Sequence, residues 1–271
     1  MLLSATSANL AADPWAELRK LTPARLAMGR AGGSLRTVNL LDFRFAHALA
    51  RDAVHSPFHP ELVEGQLDAA GLGHVRVRSM VADKTDYLLH PERGRVLDEG
   101  SLELLRSCAA EWGRRDVAIV VSDGLSAVAA EAHAVEVARG LVDELVDSFS
   151  FYPVVVASFG RVKIADAVAE ALGAGMAIVL LGERPGLGAK DSLSAYFTYA
   201  ARNSSLESDR NCVSNIRPGG MPVPWAVRKL AVLMRESFRL KLSGTRLKDR
   251  LTLEDLARMI PLDGNGERRL R

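Results

Sequence analysis

The chain has little cysteine, no surplus of either charge and no long apolar run, and each lack closes off a class of protein. Two cysteines occur in 271 residues, Cys108 and Cys212. They have neither the dense spacing of a secreted disulfide framework nor the paired spacing of a zinc site, so a reducing cytoplasm suits them. Lys and Arg number 35 against 33 Asp and Glu, a formal net charge of +2, which leaves no electrostatic case for a nucleic-acid or anionic-membrane partner. The densest basic stretch, Glu267-Arg268-Arg269-Leu270-Arg271, reads as a frayed terminus. No apolar run reaches ~18 residues without a charge, and Met1-Leu2-Leu3-Ser4-Ala5 lacks the basic start of a signal peptide. The expectation is a protein neither exported nor membrane-spanning.

Familiar catalytic signatures are also missing. Gly29-Arg30-Ala31-Gly32-Gly33 and Gly182-Glu183-Arg184-Pro185-Gly186-Leu187-Gly188 do not follow dinucleotide spacing, and no Gly-Lys-Ser/Thr phosphate loop is present, so these glycines read as turn formers. Ser122 and Ser126 lie near Asp123, with His133 further on, yet no nucleophile elbow surrounds either serine. His47, His55, His59 and His74 lack a recognised ligand spacing, and no metal site is expected. Asp52-Ala53-Val54-His55 does not supply the Asp-x-His-x-x-Gly pattern with which some corrinoid enzymes replace the cofactor's lower base. Cys212, without a local histidine, reads as a small buried apolar side chain.

What is present is periodicity. Residues 1–105 read as a mostly helical region, with a helix opening at Asp13-Pro14-Trp15, a loop holding Thr22-Pro23-Ala24-Arg25, and a second helix from Leu40 to Val54 with Arg44, His47 and Arg51 on another face. Residues 106–271 read as an α/β layer. Val117–Val121, Val154–Ala157 and Ala177–Leu181 are short apolar runs of the kind buried on both faces of a parallel sheet, separated by helices over 126–147 and near 166–172. Strand–helix–strand repeats of this kind predict a Rossmann-like parallel sheet whose ligands bind at the carboxyl ends of the strands. Ser122-Asp123, Gly160-Arg161-Val162 and Gly182-Glu183-Arg184 all fall at such ends. Further extended pieces at 193–199 and 212–216 and an amphipathic helix over 225–240 complete the expectation.

Several segments, taken in order, resemble the small, or light, subunit of ethanolamine ammonia-lyase. They are Leu21-Thr22-Pro23-Ala24-Arg25 with Gly29-Arg30, Ser122-Asp123-Gly124-Leu125-Ser126-Ala127, Gly160-Arg161-Val162, Gly182-Glu183-Arg184-Pro185-Gly186-Leu187, and Arg210-Asn211-Cys212-Val213-Ser214-Asn215-Ile216. The resemblance implies adenosylcobalamin as cofactor and a reaction that converts ethanolamine to acetaldehyde and ammonia by a radical route. It implies a large partner subunit that holds the substrate, with residues 1–105 packing on that partner. Catalytic residues are expected on the partner and none on this chain. Cobalamin contacts carry over onto Val162, Glu183 and Cys212, while Arg161, Arg184 and Asn215 have no role assigned by it. The cofactor is expected to keep its own dimethylbenzimidazole, in a cytoplasmic enzyme whose packaging in a bacterial microcompartment stays open.

Two other readings follow from the residues alone. One is a stand-alone α/β enzyme with Asp123 and Glu183 as acid and base. The other is a non-catalytic ligand-binding module.

Overall fold

A period of two along the strands and 3.6 along the helices sorts the side chains of this chain into two cores on opposite faces of one sheet. The structure is a computed structural model that describes residues 16–19, 21–22, 24–26, 28, 30–31, 33–252 and 254–255. The predicted helix opening at Asp13-Pro14-Trp15, together with Pro23, Gly29, Gly32 and the basic tail, lies outside the described residues.

The elements run α1 (Ala16–Arg19), β1 (Arg30–Ala31), β2 (Ser34–Leu35), α2 (Thr37–His55), α3 (Pro60–Ala69), β3 (His74–Arg78), α4 (Lys84–Leu89), α5 (Glu99–Trp112) and β4 (Val117–Ser122). They continue with α6 (Ala127–Leu145), β5 (Val154–Ser158), α7 (Ile164–Leu172), β6 (Met176–Gly182), β7 (Leu193–Tyr199), β8 (Arg210–Ile216) and α8 (Val223–Leu240). β1 and β2 form a small antiparallel pair, and the other six strands make one sheet in the order β3-β5-β4-β6-β7-β8. The first four are parallel, as expected of the Rossmann-like layer. β7 and β8 extend the sheet antiparallel, because residues 183–192 contain no helix and are too few for a crossover connection.

Alternation decides which core each residue joins. Val117, Ile119, Val121, Val154, Val156, Met176, Ile178 and Leu180 face α6 and α8, whereas Ala118, Val120, Val155, Ala157, Ala177 and Val179 face α5 and α7. All six residues of β4 and all seven of β6 are buried, which is why these strands read as continuous apolar runs rather than alternating ones. α8 buries Ala226, Val227, Leu230, Ala231, Leu233 and Met234 at helical spacing. At ~1.5–3 kcal/mol for each fully buried large apolar side chain, this layer is the source of the fold's stability.

The mostly helical first third also contributes a strand. β3 pairs with β5 along His74–Arg78 and Val154–Ser158 and forms one edge of the sheet. Among the described residues no helix is long and apolar enough to cross a membrane.

Candidate functional site

The carboxyl ends of β4, β5 and β6 open into a concavity of about 340 Å³ lined by Tyr87, Arg95, Leu125, Arg161, Val162, Lys163, Glu183, Arg184 and Tyr196, among others. Its floor depends on close backbone packing between two of the loops expected there. Gly124 has φ +55, and a side chain on it would meet the Gly182 carbonyl oxygen at 2.3 Å. A side chain on Gly182 would in turn lie 2.0 Å from the Ser126 carbonyl oxygen. Both glycines are therefore contact points between strand ends; Gly182 ends β6 without a left-handed backbone and serves close approach rather than the strand-to-helix turn expected of its run. Leu125 N–H donates to the Gly182 carbonyl across this contact, and Ser126 caps α6 through its hydroxyl, which accepts from Ala129 N–H.

Val162 and Glu183 both line the concavity. Glu183 is held on two sides: Ser194 donates its hydroxyl to Oε1, and Asn215 donates its backbone N–H to the same oxygen at 2.9 Å. Asn215 reaches it through a β-bulge. The β7–β8 register slips by one residue between Ala195↔Val213 and Leu193↔Ile216, and Asn215 takes φ 59 in the extra length, a left-handed conformation that asparagine adopts more readily than most residues. Among the described residues, Glu183 Oε2 accepts no hydrogen bond and is available to a donor in the concavity. Arg184 is exposed on the same rim.

Cys212 lies directly across from Tyr196 in the β7–β8 register, so the third predicted residue joins the same corner of the molecule. It is exposed, which corrects its reading as a buried apolar filler: β8 is the edge strand of the sheet, and Cys212 falls on its uncovered side. The mass of protein around the thiol still pushes its pKa up, while polar interactions with Tyr196 and Ser194 pull the other way. Burial likewise raises the Tyr196 phenol to about 12, with Cys212 adding to the shift. At neutral pH this corner thus presents a neutral thiol and phenol beside the Glu183 carboxyl.

A second polar cluster, which sequence reasoning had not assembled, runs from the wall of the concavity, where Tyr87 and Arg161 line it, back to the buried Asp123. Asp123 is 1% exposed, and burial pushes its carboxyl up to about 6 despite Lys84 and hydrogen bonds from Phe159 and Ser122. Lys84 Nζ stands 3.9 Å from Asp123 Oδ2, and burial lowers its own pKa. Arg161 stacks on Tyr87, its guanidinium carbon 3.9 Å from the ring centroid, and donates to the Tyr87 carbonyl. Asp123 does not line the concavity that Glu183 lines, so the two carboxyls do not form a facing acid–base pair. A third pairing is structural: Arg210 grips Asp166 with two hydrogen bonds of 2.7 Å, and both side chains are almost wholly buried. This ties β8 to α7 two residues before the exposed Cys212.

The histidines take ordinary roles, with His59 beside Glu131 and His74 beside Asp68. His133 lies in α6, 4.0 Å from Asp191.

With this geometry in view, the comparisons with known proteins point one way. A family model described as Ethanolamine ammonia-lyase light chain (EutC) matches residues 12–248. The chain is 46% identical over 256 residues to the ethanolamine ammonia-lyase small subunit of Azotobacter vinelandii, covering 94% of this chain and 93% of that one. It is 46% identical over 246 residues to the small subunit of Ralstonia nicotianae, covering 90% and 91%, and 45% identical over 257 residues to that of a Pseudomonas aeruginosa strain, covering 94% of each. The match runs through every strand of the sheet and every loop of the concavity, and on that ground the chain belongs to the ethanolamine ammonia-lyase light-chain family.

Proposed function

We propose that this chain works with a large subunit as an adenosylcobalamin-dependent ethanolamine ammonia-lyase, converting ethanolamine to acetaldehyde and ammonia, and that its concave rim holds one side of the cofactor. The observation that supports this reading is convergence: Val162, Glu183 and Tyr196 line one concavity, and Cys212 stands beside it, across from Tyr196 in the β7–β8 pairing. Their chemistry fits a corrinoid periphery. Glu183 has one oxygen fixed by Ser194 and Asn215, which orients the other toward an amide N–H of the ligand. Val162 offers methyl groups, and the uncharged Cys212 and Tyr196 add a surface that does not repel an apolar macrocycle edge. A volume of about 340 Å³ is far below that of a corrinoid with its nucleotide tail, so this chain covers an edge and the remainder belongs to the partner.

When bound, adenosylcobalamin supplies a radical by cleavage of its cobalt–carbon bond. The part of this chain is to orient the cofactor and exclude water from it, and the groups that select ethanolamine lie on the large subunit. The partner-facing surface is proposed to include α2, where Val38, Leu41 and Phe45 fall on one helical face and are 68%, 59% and 65% exposed. Exposed apolar side chains aligned in this way mark an association surface. We place the assembled enzyme in the cytoplasm.

The test is reconstitution. This chain mixed with its cognate large subunit and adenosylcobalamin should release acetaldehyde from ethanolamine, and omission of any one component should abolish the release. Turnover by this chain alone would favour the stand-alone enzyme and sink the proposal.

A further inference from the structure

The turn that carries Val162 is not in a relaxed conformation, and the groups that hold it there are buried beneath it. Phe159 has φ 59, a left-handed backbone that a bulky non-glycine residue adopts only when its surroundings compel it. The surroundings here are Ser122 and Asp123 at the end of β4. Asp123 Oδ1 accepts the Phe159 N–H at 2.7 Å, Ser122 Oγ accepts the Gly160 N–H at 2.9 Å, and the Ser122 hydroxyl donates to Asp123 Oδ1 at 3.1 Å. Two successive backbone amides of the turn are thus clamped by two successive side chains. Around them, the Tyr87 hydroxyl donates to the Gly160 carbonyl at 3.0 Å and the Ser79 hydroxyl to the Phe159 carbonyl at 2.9 Å. Arg161 N–H donates to the Gly94 carbonyl at 2.7 Å.

A buried carboxylate that accepts one backbone N–H and leaves its other oxygen without a hydrogen-bond partner among the described residues is an expensive structural device. A neutral residue could close an ordinary turn at lower cost. What the carboxylate adds is a charge-assisted hydrogen bond, about twice as strong as a neutral one, aimed at the residue of this turn whose backbone is left-handed. Neither Ser122 nor Asp123 lines the concavity, so neither is placed to touch a ligand there.

We propose that Ser122 and Asp123 are positioning residues for the cofactor site: together they hold the Phe159–Val162 turn in its strained form and so set Val162 against the corrinoid. This rests on the reading that the concavity takes cobalamin. The clamp acts through backbone geometry, so its loss should matter less wherever the left-handed conformation at residue 159 costs nothing.

That expectation defines a double-mutant cycle in the assembled enzyme, read by optical titration with cyanocobalamin, whose binding needs no turnover. Asp123→Asn should weaken cyanocobalamin binding about tenfold, the loss expected for a charge-assisted hydrogen bond. In a Phe159→Gly background, where glycine adopts the left-handed region freely, the same substitution should weaken it only about twofold. Ser122→Ala, a milder change that also serves if Asp123→Asn fails to assemble, should weaken binding about threefold alone and leave it nearly unchanged in the Phe159→Gly background. Equal losses in the two backgrounds, or no loss in either, would overturn the positioning role while leaving the cofactor reading intact. Failure of the unsubstituted assembly to bind either cyanocobalamin or adenosylcobalamin would instead overturn the cofactor reading on which the inference stands.

Discussion

The sheet and α2 use similar apolar residues to opposite ends. In β4, Val117, Ile119 and Val121 are fully buried between helices of the same chain. In α2, only Ala46 and Ala53 are buried, while Val38, Leu41 and Phe45 stand in solvent. The sheet's centre is complete in itself, because helices cover both faces of its inner strands. α2 has its small residues turned inward and its large ones outward, a distribution that wastes burial in a lone chain and becomes favourable only against a second surface. One region explains why this chain folds, and the other why it is proposed not to work alone.

The most severe way to break the self-contained region is to remove one half of its buried ion pair. Arg210→Ala should cost about 3 kcal/mol, because Asp166, wholly buried, would lose both of its hydrogen bonds from Arg210 and keep only Lys163, 3.8 Å away; chemical denaturation of the isolated chain measures it. An unfolding midpoint unchanged from wild type would show that β8 is not tied to the layer as described.

A comparable effect comes from pH. Burial raises the Asp123 carboxyl from its usual 3.8 to about 6, with Lys84 opposing the shift; Tyr87 and Arg161 complete the nearby titratable groups. The folded chain therefore binds this proton more tightly than the unfolded chain does. The group's stabilising contribution is full below about pH 4 and is lost as pH rises through about 6, a change of about 3 kcal/mol. Denaturation from pH 4 to 7 should show this slope in wild type relative to Asp123→Asn, and parallel pH profiles would refute it.

The smallest effect on the lone chain should come from α2. Phe45→Ala should change the stability of the isolated chain by less than about 0.5 kcal/mol, yet weaken assembly with the large subunit by about 2 kcal/mol, the value of burying such a side chain. Denaturation and a binding titration measure the two quantities. A loss of stability without a loss of assembly would reverse the contrast between the regions.

Much of the layered fold was legible because β-branched runs and helical spacing are local signals. β7 matches its expected span, Leu193–Tyr199, and β4, β5 and β6 differ from expectation by a residue at their ends. β3 escaped because His74-Val75-Arg76-Val77-Arg78 alternates valine with charged or polar residues, as an edge strand does, inside a stretch whose other signals are helical. In the candidate site, the strand pattern placed the loops of Val162 and Glu183 on the rim, but only the family resemblance singled those two residues out. The exposure of Cys212 was not legible, since it depends on β8 being the last strand of the sheet. The partners of Glu183 were equally hidden: Ser194 and Asn215 reach it through the β6–β7–β8 pairing and a one-residue bulge.

By itself, then, the order of residues determined the alternation of strands and helices, the two apolar faces of the sheet and the loops gathered at its carboxyl edge. These follow from side-chain size, branching and period, which act over a few residues. Only the tertiary structure decided that Asp123 clamps a strained turn 36 residues away, that Arg210 finds Asp166 across 44, and that Val162, Glu183 and Cys212 share one corner. Such pairings depend on strand order and register, and the energies that choose among registers belong to the packed core as a whole rather than to any local stretch of chain.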